Sequence, residues 1–325
     1  MRHRHCRALG TVALVAAALL TSERAHAQKG SFGPGGGKAW AAAQNVLPGG
    51  VTIVVGANVA ALKGTTVFSQ VVQPLINKER DAKEGIDLVK SSCNIDVTAA
   101  VTDIVVAIDP KENGAIFLGV TGVDEAKVTA CLQAVAAKKD AKAKITAAKT
   151  GNVVEYSATG ENDKLYVAWL AADVLVMATE PTDKKLLGKM IGGKGALGKS
   201  DVGKSIKATN TSAVVWAAVK QKESLGKGNA TMKMAYGAID LKAGTVSADV
   251  HVVVDSAAAA TKAVGEFTKQ LAAVQQDPKG AGIPPELAGV LKSLKVSNKG
   301  ADLNVTASMS EKELLGLINQ MMAGM

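Results

Sequence analysis

Asp103-Ile-Val-Val-Ala-Ile-Asp109 is followed by a turn over residues 110–114 and then by Ala115-Ile-Phe-Leu-Gly-Val120. Both runs are β-branched and apolar, and proline and glycine lie between them, so they read as an antiparallel hairpin. A second hairpin comes later in the chain, 233–241 with 245–254, and its turn is supplied by Asp240-Leu-Lys-Ala-Gly244. The alternation in Val246-Ser-Ala-Asp-Val-His-Val252 suits a sheet with one covered face. Around these two hairpins the rest of the chain falls into order.

Each hairpin is preceded by a strand, at 51–55 and at 213–219, and followed by a capped helix. Asp124 opens a helix to about residue 139, and Ser256 opens one to about 276. More strands follow in each case: 144–149, 153–158, 165–170 and 173–179 in the first half, 294–298 and 302–308 in the second. Helical spacing also covers 39–46, 59–76, a stretch after Pro181 to Ile191, and a closing helix from Glu311 capped by Ser310. The expected fold is α+β, with antiparallel sheets, helices packed on one face and two pseudo-repeated halves. The halves are bounded at 39–209 and 210–325.

Three segments carry a resemblance. One is Leu47-Pro48 leading to Val51-Thr-Ile-Val-Val55 and Leu62-Lys-Gly-Thr-Thr-Val-Phe68. Another is Cys93-Asn-Ile-Asp96 with Asp124-Glu-Ala-Lys-Val-Thr-Ala-Cys131. The last is Asp173-Val-Leu-Val-Met-Ala-Thr179. Together the chain resembles a class of exported bacterial proteins with duplicated α+β halves. The resemblance implies the same fold and the same cysteine pairing, and no activity.

The chain opens with Arg2, Arg4 and Arg7, an apolar run from Ala8 to Leu20, and Ala25-His26-Ala27. That order reads as a secretory signal peptide over 1–27, with the mature chain starting at Gln28. The run is about 13 residues, short of the ~20 that span a bilayer. A Gly-rich leader, 28–38, follows. The expected location is therefore outside the cytoplasm, periplasmic or fully secreted. Removing Arg2, Arg4, Arg7, Arg24 and Glu23 leaves 34 basic and 28 acidic residues, a net charge of +6. Export makes nucleic acid an unexpected partner. The densest basic patch, Lys138-Lys139-Asp140-Ala141-Lys142-Ala143-Lys144, reads as a solvated face or as one drawn to an anionic envelope surface. Cys93 and Cys131 remain after cleavage. An even pair in an exported chain most simply forms one disulfide, the alternative being two buried thiols.

Gly193-Lys-Gly-Ala-Leu-Gly-Lys199-Ser200 matches every fixed position of a phosphate-binding loop, with Asp109 or Asp255 as the acid on the magnesium side. Such a loop joins a buried strand to a helix in a parallel fold. Here a Lys-rich helix precedes it, Asp201-Val-Gly203 follows, and the strands are antiparallel, so a flexible loop is expected. His251 is the one histidine of the mature chain, and no nucleophile elbow accompanies it. Asp87 with Asp96, and Asp163 with Asp173, are carboxylate pairs at strand ends and turns, where aspartate serves local hydrogen bonding. With 3% aromatic residues, stacking platforms for sugars are scarce. Met309, Met321, Met322 and Met325 suit either a packed helix or an adaptable apolar grip. The expectation is no catalytic residue, cofactor or metal. The chain reads as a non-enzymatic exported protein that binds or scaffolds an envelope component. The alternative is a carrier of an apolar ligand held between sheet and helices.

Overall fold

The computed structural model describes residues 36–110, 113–139, 141–160, 164–225, 230–277 and 288–323. The expected signal peptide, the leader up to residue 35, Asp163 and Met325 lie outside them.

The fold is α+β. Among the described residues thirteen strands form one antiparallel sheet in the order β12-β13-β11-β10-β8-β1-β2-β3-β7-β6-β5-β4, with β9 (Glu223–Leu225) beside β10. The two hairpins read from the sequence are β2 (Val101–Asp109) with β3 (Asn113–Val120), and β10 (Ala230–Lys242) with β11 (Thr245–Val254). The second closes through Ala243 and Gly244, both at positive φ, the tight turn that matches strand twist. At the centre β1 (Ile53–Ala57) pairs with β2 on one side and β8 (Val215–Val219) on the other. The first-half flank runs through β7 (Val174–Ala178), β6 (Lys164–Ala171), β5 (Val153–Ala158) and β4 (Ile145–Thr150). The second-half flank runs through β13 (Asp302–Ser310) and β12 (Lys295–Lys299).

Helices cover both faces of this sheet, which corrects the expectation of one. Phe117 and Leu118 are neighbours on β3, so they point to opposite faces. Yet both are buried, at 0% and 2% exposure. On the first face α1 (Gly37–Val46), α7 (Lys184–Ile191), a 3₁₀ turn (Ala196–Lys199) and α8 (Asp201–Ala208) pack over the centre. Their Trp40, Leu187, Leu197 and Ile206 meet Val54, Val105, Phe117 and Trp216. Gly56 lies under Trp216: a Cβ there would sit 2.1 Å from the indole, so this position takes only glycine without a shift. Trp40 meets Trp216 edge to face at 4.9 Å. Asp103 pins α1 from the sheet by accepting the Ala39 N–H at 2.6 Å, with Thr102 Oγ1 donating at 2.8 Å. Burial raises its carboxyl above the ordinary aspartate range, against those hydrogen bonds.

Among the described residues the second face is covered mainly at its flanks. On the first-half side, α4 (Arg80–Cys93), α5 (Val97–Ala100) and α6 (Glu125–Lys139) lie over a cluster containing Leu118, Tyr156, Val167 and Leu175. Cys93 and Cys131 join α4 to α6 in a disulfide, with Cα atoms 4.8 Å apart. On the second-half side, α9 (Ala257–Gln276) sets Ala260 against Val254 and Leu303. Its cap is Ser256, as read from the sequence. Residues 59–76 do not form one helix. They break into α2 (Val59–Lys63), a π-helical turn (Phe68–Val72) and the start of α3 (Gln73–Lys78). α10 (Ala288–Ser293) precedes β12. In α11 (Glu311–Ala323), Ser310 and Glu313 cap reciprocally: Glu313 N–H to Ser310 Oγ at 3.2 Å and Ser310 N–H to Glu313 at 2.7 Å.

Candidate functional site: an apolar sheet face between helices

Strand register decides what the centre of the second face shows. Three rows cross five strands, β2-β1-β8-β10-β11. They read Ile108-Ile53-Val219-Ala235-Val252, then Val106-Val55-Ala217-Gly237-Val250, then Ile104-Ala57-Val215-Ile239-Ala248. All fifteen positions are apolar or glycine, and none is buried among the described residues. Ile239 and Val250 stand 43% and 37% exposed. Four strand spacings of about 4.8 Å make this face about 19 Å wide. Part of it, over β8, β10 and β11, dips into a groove of about 200 Å³. Leu62 and Phe68 close one end against Val215 and Leu241. On α9 the apolar line Ala260, Val264, Phe267, Leu271, Val274 runs past the sheet contact, with Phe267 39% exposed.

The first face of the second half is the opposite case. A concavity of about 430 Å³ is lined there by Tyr236, Asp240, Asp249, His251, Lys295 and Thr306, among others. His251 stacks on Tyr236, with ring centroids 4.7 Å apart. Its Nδ1 lies 3.2 Å from Asp302, which also accepts the Tyr236 hydroxyl at 2.7 Å. Burial, then the bond to Asp302, raises the Tyr236 phenol well above its ordinary range. Its Nε2 lies 3.0 Å from Asn304 Nδ2, which also donates to Asp249 at 2.6 Å. With the Nδ1–H tautomer every partner is satisfied, and Nε2 offers no lone pair to a hydroxyl. The cluster ties β10, β11 and β13 together rather than activating a nucleophile.

The remaining sequence candidates are scattered. Residues 193–208 are not the expected flexible loop. The N–H groups of Gly193, Ala196, Leu197, Gly198 and Ser200 all donate to backbone carbonyls, from Val46, Gly193, Leu47, Gly195 and Leu197 respectively. A phosphate cradle needs those donors free. Ser200 instead caps α8, accepting from Gly203 N–H at 3.1 Å, and Val202 and Ile206 of α8 are buried. Asp201-Val-Gly203 thus begins a helix where an interruption was expected. The element before the motif is α7, not a strand. Asp109 is buried at the end of β2, whereas Asp255 is exposed in the bend after β11. Asp87 pairs with Lys83. Asp96 caps α5 through Ala99 N–H at 3.1 Å, and Asp173 pairs with Lys38 at 2.7 Å. Met309 is half-buried on β13. Among the described residues no cluster of three or more His, Cys, Asp or Glu could hold a metal ion. Among them, too, no helix is long and apolar enough to cross a membrane.

The fold and this face define the chain as an antiparallel α+β protein with a partly uncovered apolar sheet. No family model matches it, and no curated protein does. Solved structures of TP0453 share a distant likeness. Crystal form III is 11% identical over 85% of this chain and 97% of that one, with a TM-score of 0.45. Crystal form I is 10% identical over 90% and 99%, with a TM-score of 0.44. At these values the likeness assigns neither family nor function.

Proposed function

We propose that this is an exported, non-enzymatic protein that binds a protein component of the cell envelope through the apolar centre of its second face. The reading rests on the three apolar rows. Monomeric proteins rarely expose contiguous apolar surface beyond a few hundred Å², and larger patches mark interaction sites. Export is supported by the basic, apolar and Ala-x-Ala order at the N-terminus and by the Cys93–Cys131 disulfide, since such bonds persist in oxidising compartments.

A carrier of an apolar ligand is the second reading, favoured by the purely apolar groove over β8, β10 and β11. Ligand pockets run to roughly 300–1,000 Å³ and enclose most of the ligand. The groove is about 200 Å³ and open to solvent, which suits the apolar side of a macromolecule better. We also read the halves as pseudo-repeats about the β1–β8 pair. In each, a hairpin is followed by a helix and by a strand that returns beside the hairpin's second strand, β7 beside β3 and β13 beside β11.

Crosslinked pull-down from the native envelope fraction tests the assignment, comparing wild type with Ile239→Asp/Val250→Asp. The expected result is a discrete partner captured by wild type and lost from the variant. The same capture by both would refute it. A small apolar molecule bound at one per chain in native mass spectra would move the assignment to the carrier.

A further inference from the structure

The lysines of the chain are not evenly placed. Nine lie between residues 184 and 222, against one acidic residue, Asp201. The elements that carry most of them, α7, the 3₁₀ turn and α8, use their apolar side chains to cover the first face. Leu186, Leu187, Met190, Leu197, Val202 and Ile206 are all buried. The lysines are what these short helices turn to solvent. Asp201 takes Lys220 at 2.7 Å and lies 4.0 Å from Lys204; Lys184 lies 3.9 Å from Glu155. Lys185, Lys194, Lys199, Lys207 and Lys222 are exposed and have no acidic partner among the described residues. They spread over a layer that spans β7 to β8, about 19 Å at ~4.8 Å per strand.

We propose that this basic helix layer docks on an anionic lipid surface. Three features favour a bilayer over a discrete anion or a polyanionic strand. The charges are all lysine, and Arg80 is the one arginine after residue 24. Lysine acts as a diffuse point charge, whereas arginine provides the bidentate fork of stereospecific phosphate recognition. The lysines also stand on the outer sides of helices rather than along a cleft: the concavity that begins at the end of α8, at Ala208, Thr209 and Asn210, has one lysine in its lining, Lys295, and the apolar groove has none. Finally, the layer is broad, and juxtaposed lysines act additively on an anionic leaflet. The Gly-Lys-Gly-Ala-Leu-Gly-Lys-Ser motif, with its backbone donors occupied, contributes Lys194 and Lys199 to this layer. The apolar rows face the other way, since Val55 and Ala217 neighbour Val54 and Trp216 on their strands. Docking by the basic layer leaves those rows open to a partner, whatever that partner is.

The test is co-sedimentation of the purified protein with vesicles of 30% phosphatidylglycerol in phosphatidylcholine, and with pure phosphatidylcholine. The comparison variants are Lys185→Gln/Lys199→Gln/Lys207→Gln and a charge-matched control, Lys269→Gln/Lys292→Gln/Lys299→Gln. All six positions are exposed, so folding is preserved, and circular dichroism checks it. Each lysine lost from the contact lowers partitioning about fivefold, so the patch variant falls by about 100-fold. The control stays near wild type, and 0.5 M salt abolishes binding. Equal binding to uncharged vesicles, or an equal loss in both variants, would overturn the inference. So would a loss confined to Ile239→Asp/Val250→Asp, or preferential binding of dextran sulfate over vesicles.

Discussion

Removing the disulfide by Cys93→Ser/Cys131→Ser probes how α4 is held. The outer side of α4 is almost wholly charged. Arg80 pairs with Glu84 at 2.7 Å and Lys83 with Asp87, contacts worth a few tenths of a kcal/mol each at best. Its one buried large side chain, Ile86, packs against Ile76 in a small satellite cluster apart from the main core. The bond to α6 closes a separation of 38 residues. The chain-entropy relation gives about 13 cal/mol/K for that loop, or about 4 kcal/mol at 25 °C. For a chain of this size 1 kcal/mol moves the midpoint by about 2 °C, so the variant should melt about 8 °C lower. Differential scanning calorimetry reads the shift. Hydrogen exchange locates it, with amides of residues 80–93 losing protection before those of β2 and β3. A variant that melts within about 2 °C of wild type, or one that loses protection uniformly, would refute the reasoning.

Two further outcomes follow from the first face. Gly56→Ala should lower stability by about 1–3 kcal/mol in urea titration, because the Trp216 ring 2.1 Å from the new Cβ is itself held by Trp40; an unchanged midpoint would mean that the indole can move. Asp103→Asn tests the raised carboxyl pKa. The folded state holds this proton to higher pH than the unfolded state, so its stabilising share is complete below the unfolded value and is lost as pH rises through the folded one. Urea midpoints taken from pH 4 to 7 should therefore show the asparagine variant gaining on wild type as pH rises, and a constant difference would contradict the assignment.

Much of this architecture is legible locally. The hairpins, the caps at Asp124, Ser256 and Ser310, and the cysteine pair depend on neighbouring residues or on simple parity. Helix α4 escapes that reading because Arg80-Asp-Ala-Lys-Glu-Gly-Ile-Asp87 carries one large apolar residue, too little for a periodic stripe. Its i,i+4 charge pairs were the available signal. Coverage of both faces was also written in the strands: Val174-Leu-Val-Met-Ala178 is apolar without alternation, the mark of a strand buried on both sides. The candidate face was not legible, because it exists only through the pairing of β1 with β8. Val55 and Ala217 meet in that register across about half the chain, and nothing local in either segment specifies the other.

The two uncovered regions of the sheet differ in a way that bears on function. Where no described helix covers the first face of β10, β11 and β13, the side chains are Asp240, Ser247, Asp249, His251, Asn304 and Thr306, as solvent exposure requires. Where none covers the second face of β10 and β11, they are Ile239 and Val250. Neighbouring residues of one strand, about 0.33 nm apart along the chain by strand geometry, thus meet solvent with opposite chemistry. Chance or a shortage of polar residues would not separate the two faces along shared strands, whereas an occupant on one side and water on the other would. That contrast is why the apolar rows are read as a surface that is covered in use, and why charge placed at Ile239 and Val250 should abolish binding while leaving the fold intact.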